Sequence, residues 1–129
     1  MRRASSAESI VIQVQTKSVP HEVLTFGDAR VDFTSMEAQR AGKTVILTTQ
    51  EFNLLRYMAA SAERVVSRHE LLNDVWGYEN YPSTRTVDNY ILRLRQKFEP
   101  DPSTPLFFIT VHGAGYKFIP GGATAGSNS

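Results

Sequence analysis

Fifteen residues, Arg85 to Glu99 (RTVDNYILRLRQKFE), constrain this chain more than any other stretch. At about 100° per residue with Val87 at zero, Tyr90, Ile91, Leu94 and Phe98 fall within about 60° of it, an apolar stripe for a core. Arg85, Asn89, Arg93 and Gln96 gather on the opposite side, roughly 160–240° away, with Arg95 and Lys97 on the flanks. Pro100 and Pro102 stop the helix, and Ser83 or Thr84 can cap its start. The outer face carries two planar guanidinium groups and two amides, the side chains best suited to reading base edges in a major groove. A solvated surface helix would show the same polarity, so both readings stand at this point.

The segments around the helix decide what it packs against. Ahead of it, Val23 to Phe26, Ala29 to Phe33, Glu37 to Arg40 and Thr44 to Leu47 are short, partly alternating runs. Gly27-Asp28 and Ala41-Gly42-Lys43 separate them as turns, which predicts a small antiparallel sheet. Thr48-x-x-Glu51 is a capping box opening a helix that would bury Phe52, Leu55, Met58, Ala59 and Ala62. Ser67-x-x-Glu70 is a second such box, opening a helix over Leu71, Leu72 and Val75 that ends at Trp76-Gly77. Trp76 fits a core plug at that end. Leu106 to Val111 and Tyr116 to Ile119 then form a hairpin through His112-Gly113-Ala114-Gly115. The fold class expected is α+β: a winged helix-turn-helix with an N-terminal four-stranded antiparallel sheet, three helices and a C-terminal β-hairpin wing. The folded domain is placed at 22–120, with 1–21 a linker or disordered segment and 121–129 a disordered tail. Met1 to Ser9 and Gly121 to Ser129 are small and polar, while Ile10 to Gln15 alternates weakly and could add an edge strand that Pro20 separates from the rest.

Composition excludes more than it suggests. The chain has no cysteine, which removes disulfides and thiolate metal sites. No apolar run approaches the roughly 18 residues that would span a bilayer. No histidine pair has metal-ligand spacing, no Gly-rich loop leads to a helix with a lysine, and no serine sits in a G-x-S-x-G elbow. No enzyme activity, metal or cofactor is therefore expected. The formal net charge is only +1, so a nucleic-acid surface would have to be local.

Four motifs, LTTQEFNLLRYM, VVSRHELLNDVWGY, STRTVDNYILRLRQKFE and ITVHGAGYKF, resemble in that order the effector-domain motifs of OmpR/PhoB-type response regulators. The likeness runs from Val23 to Ile119. It implies a cytoplasmic two-component transcription regulator whose phosphorylated receiver, served by a histidine kinase, promotes dimerisation on tandem half-sites of double-stranded DNA. The segment ahead of the domain is too short for a receiver of about 120 residues, so the chain is expected to be an excised effector domain rather than a stand-alone regulator. The resemblance places a recognition helix at 84–98 in the major groove and a wing at 107–119 near the minor groove. Arg85 and Thr86 would meet phosphates, Asn89 and Arg93 bases, with Gln96 on the same face, and Arg95 and Lys97 the DNA backbone. Asp88 would orient a neighbouring arginine. Thr110 and Tyr116 would hold the wing against the phosphates, with His112 and Gly113 at its tip. Tyr78, Glu79, Asn80 and Tyr81 correspond to the loop that contacts RNA polymerase in the family.

Two departures stand out. Leu92 replaces a common arginine and can pack on a thymine methyl instead of bonding phosphate. His112 replaces the wing arginine, and neutral histidine gains less from the negative minor groove, so weaker or more pH-sensitive binding is expected. The competing class is a winged helix that docks a protein through its third helix; such a face should carry more large apolar residues than Leu92 alone.

Overall fold

The computed structural model describes residues 22–77 and 82–123. Tyr78, Glu79, Asn80 and Tyr81 lie outside the described residues. Four strands, β1 (Val23–Phe26), β2 (Ala29–Asp32), β3 (Glu37–Arg40) and β4 (Lys43–Val45), form an antiparallel meander in sequence order. Phe26 pairs with Ala29 and Arg40 with Lys43, so both tight turns are two residues long. In the second, Ala41 and Gly42 both take positive φ, 52° and 79°, the geometry whose twist matches that of the flanking strands. That places Lys43 at the start of β4 rather than in the turn.

Helix α1 (Thr49–Ala60) begins at the expected box. The Glu51 N–H donates to Thr48 Oγ1 at 3.1 Å, and the Thr48 N–H donates to Glu51 Oε1 at 2.8 Å. Its buried face is Phe52, Leu54, Leu55 and Met58, with Ala59 half-buried. Ala62, expected inside, is exposed because the helix ends two residues earlier.

The second helix, α2 (Arg68–Leu71), is short and continues as a π-helical turn, Leu72–Trp76. Ser67 caps it by accepting from the Glu70 N–H at 3.0 Å, but the reciprocal half of the box is not made. The Glu70 carboxylate instead accepts from Arg64 and from the Tyr57 hydroxyl, and the Arg64 hydrogen bond, then that of Tyr57, holds it below the usual carboxylate range. Trp76 is half-buried and packs edge-on against Tyr90 at 5.2 Å between ring centroids.

Helix α3 (Thr84–Phe98) buries Val87, Ile91, Leu94 and Phe98 as its spacing predicts. Ser83 stands at the N-cap position without a side-chain capping bond. The hairpin, β6 (Phe108–Val111) and β7 (Gly115–Phe118), acquires a third strand that the sequence did not announce: β5 (Val65–Val66) pairs antiparallel with β7. Two residues carry too little pattern to be read as a strand, and only the neighbouring β7 makes them one. Gly115 makes this approach possible, since a Cβ there would lie 2.1 Å from the Val66 carbonyl oxygen.

One core joins both sheets and the helices. The Phe26 ring lies 5.2 Å from Phe98, 5.1 Å from Phe107 and 5.2 Å from Phe118, so β1 is clamped to the end of α3 and the base of the wing. Glu99, immediately after α3, is almost fully buried and accepts from the Leu106, Phe107 and Phe108 N–H groups at 2.7, 2.9 and 2.8 Å. Backbone bonds continue past Pro120: the Gly122 N–H donates to Ile119 O at 2.9 Å and the Ala123 N–H to Leu106 O at 2.7 Å.

Candidate nucleic-acid interface

The apolar stripe of α3 fixes which of its residues face outward. Once Val87, Ile91, Leu94 and Phe98 enter the core, helical geometry leaves Arg85, Asn89, Leu92, Arg93 and Gln96 exposed on the far side. Thr86 is half-buried in the first turn. Arg85, Asn89 and Gln96 make no side-chain hydrogen bond among the described residues. The Arg93 guanidinium sits 4.5 Å from the centre of the Tyr90 ring, a cation–π contact that draws it to one side of the face. Leu92 is 48% exposed, the one large apolar side chain among these outward residues.

The flanks behave differently. Arg95 Nε donates to the Phe108 carbonyl at 2.9 Å and a terminal guanidinium nitrogen to Thr110 Oγ1 at 2.7 Å, while the group also lies 5.9 Å from the Tyr116 ring centre. Lys97 Nζ donates to Glu51 Oε1 at 2.7 Å and to the Ile46 carbonyl at 2.8 Å. Arg95 and Lys97, expected at DNA phosphates, are thus tied into the fold: one clamps the wing to α3, the other ties α3 to the α1 capping box. The reason is reach. A flank position one turn from the core brings a long side chain within range of backbone carbonyls and carboxylates on neighbouring elements.

Asp88 joins three elements. Its Oδ2 accepts from Arg68 on α2 at 3.0 Å and its Oδ1 from the Tyr116 hydroxyl on the wing at 2.5 Å. The arginine it orients is Arg68, which motif spacing did not single out because only the fold brings α2 beside α3. Tyr116 is buried, and burial, then the Asp88 hydrogen bond, pushes its phenol up to about 12. Its proton is committed to Asp88 and is not free for phosphate. Thr110 is exposed; its oxygen accepts from Arg95, which leaves its own O–H free to donate outward.

The wing tip is the turn His112-Gly113-Ala114, closed by the Ala114 N–H donating to Val111 O at 2.9 Å. His112 and Gly113 are exposed, and Gly113 has a φ of 78°. Between the tip, α2 and α3 lies a groove of about 490 Å³ lined by Arg68, His69, Thr84, Asp88, Thr110 and His112 among others. The arrangement is a polar helix face and a projecting loop separated by a polar channel. Such a surface can straddle a charged ridge with grooves on either side. Among the described residues no three His, Asp or Glu side chains converge as metal ligands, and no helix is long and apolar enough to cross a membrane.

Similarity to known proteins agrees with this geometry. Residues 42–118 match the family described as transcriptional regulatory protein, C terminal. The chain is 41% identical over 101 residues to the DNA-binding response regulator MtrA of Mycolicibacterium smegmatis, covering 78% of this chain and 44% of that protein. It is 39% identical over 95 residues to the sensory transduction protein RegX3 of Mycobacterium bovis, covering 74% and 42%. It therefore spans less than half the length of these curated relatives. Among solved structures, the Thermotoga maritima response regulator DrrB, an OmpR/PhoB homologue, superposes with a TM-score of 0.69 at 36% identity over 75% of this chain and 44% of that one. The RstA DNA-binding domain of Klebsiella pneumoniae, solved in complex with the RstA box, gives 0.66 at 31% identity over 78% and 99%. A family match over more than half the chain, with the same fold in these relatives, establishes that the chain belongs to the OmpR/PhoB-type family of transcriptional regulatory protein C-terminal domains.

Proposed function

We propose that the chain is the effector domain of a two-component response regulator and binds double-stranded DNA sequence-specifically, with α3 in the major groove and the wing near the adjacent minor groove. One observation carries the reading: among the described residues Arg85, Asn89 and Gln96 on the outer face of α3 have no side-chain hydrogen-bond partner, while the flank cations Arg95 and Lys97 are engaged. Free donors on a rigid helix that an anchored wing accompanies are what base and phosphate contacts require. Arg85 and Thr86 bind phosphate, Asn89, Leu92, Arg93 and Gln96 face bases, and Thr110, His112 and Gly113 carry the wing contact. Arg95, Lys97 and Tyr116 position these residues.

The family is one of transcription regulators, not an enzyme class. In the intact protein we place a receiver domain and its histidine kinase upstream in the signal, dimerisation on tandem half-sites, RNA polymerase contact through Tyr78, Glu79, Asn80 and Tyr81, and a cytoplasmic location. These rest on the family resemblance. Titration of promoter duplexes against salt tests the central reading: log affinity should fall linearly with log salt as counterions leave the phosphates. Binding that is absent or insensitive to salt would favour a protein-docking role for α3.

A further inference from the structure

The centre of the α3 outer face has one base preference in common. With Val87 at zero, Leu92, Arg85, Gln96 and Asn89 stand at about 140°, 160°, 180° and 200°, so all four point away from the core; Leu92, Gln96 and Asn89 are those beyond the first turn. All three are exposed. Arg93, at roughly 240°, is drawn aside over Tyr90. Arg85 lies in the first turn, beside a hollow lined also by Arg68, Ser83, Thr84, Asp88 and Asn89, and two guanidinium groups at a helix start suit a phosphate. In a major groove an amide pairs bidentately with adenine N6 and N7, and an apolar side chain packs on the thymine methyl. Guanine calls for a cation and cytosine for a carboxylate. The acid on this helix nearest the face, Asp88, has both oxygens occupied by Arg68 and Tyr116.

We infer that the centre of α3 selects A·T pairs, with Asn89 and Gln96 bonding adenines and Leu92 covering a thymine methyl. Seven residues at 1.5 Å each span about 10 Å, roughly three base-pair steps, so the preferred pairs are close neighbours within one half-site. The inference rests on the DNA-binding reading and names what that site takes.

Selection from a random duplex library with the full chain, followed by uracil-for-thymine replacement across the recovered site, tests it. Uracil removes only the methyl group. The expected result is a half-site with A·T pairs within about three base-pair steps of one another and one thymine whose replacement weakens binding roughly three- to tenfold, the scale of one buried methyl. That penalty should vanish in Leu92→Ala, whose fold is safe because Leu92 is half-exposed. A G·C core, or a uracil penalty unchanged in Leu92→Ala, overturns the inference while leaving DNA binding intact. No enrichment of any duplex overturns both.

Discussion

The outer face of α3 and the seam between α3 and the wing use the same side-chain types to opposite ends. On the outer face Arg85, Asn89 and Gln96 have no partner among the described residues. In the seam Arg95, Asp88, Tyr116 and Glu99 each spend their donors or acceptors on named neighbours. Residue type therefore does not separate a reading group from a positioning group; what separates them is whether the fold has already satisfied the side chain. An engaged group holds geometry, and its loss costs stability first. A free group gains its partner only in a complex, and its loss costs affinity alone.

Glu99→Ala tests the seam hardest. Removing one carboxylate strands three N–H donors at the base of the wing, two of them buried, so urea unfolding should show a loss of about 3–5 kcal/mol. A loss under about 1 kcal/mol would mean that water replaces the carboxylate and the seam is not held as described. Arg93→Ala probes the outer face: affinity for the preferred site should drop by about 1–3 kcal/mol and selectivity at one base should relax, with unfolding changed by no more than the exposed cation–π contact to Tyr90, about 0.5–1 kcal/mol. Equal loss on every duplex would make Arg93 a phosphate contact.

Arg95→Ala should fall between the two classes. It loses two hydrogen bonds to the wing, so stability should fall by about 1–2 kcal/mol, and DNA affinity should fall with it because the wing loses its register. Affinity loss without any change in unfolding would return Arg95 to the DNA-contacting set. The smallest effect is Tyr116→Phe. At pH 8 it should cost about 1 kcal/mol for the lost bond to Asp88. The folded phenol is held near 12 against an ordinary value of 10.0, so its contribution is complete below about pH 10 and disappears as pH rises through 12. Unfolding curves of the two proteins should therefore converge between pH 10 and 12, and a constant gap would refute the buried hydrogen bond.

Much of the molecule is legible in its residue pattern. Periodicity is a local property, so the α3 stripe, the Thr48–Glu51 box and the hairpin could be read directly from residue spacing. The outward set Arg85, Asn89, Leu92, Arg93 and Gln96 follows from the same stripe, since burying one side of a helix exposes the other. Tertiary contacts decided the rest. The strand Val65–Val66 exists because Gly115 lets two backbones meet. Glu99 follows α3 directly in the chain, and only the packing of the hairpin makes it the acceptor for three wing amides. Arg95 and Lys97 carried the residue types of phosphate binders, yet their partners lie 13 to 51 residues away in the chain. Spacing along one helix tells which way a side chain leaves the axis. Which neighbour waits there depends on how distant segments pack, and that alone sorted the cations of α3 into Arg95 and Lys97, which brace the fold, and Arg85 and Arg93, which stay on the outer face.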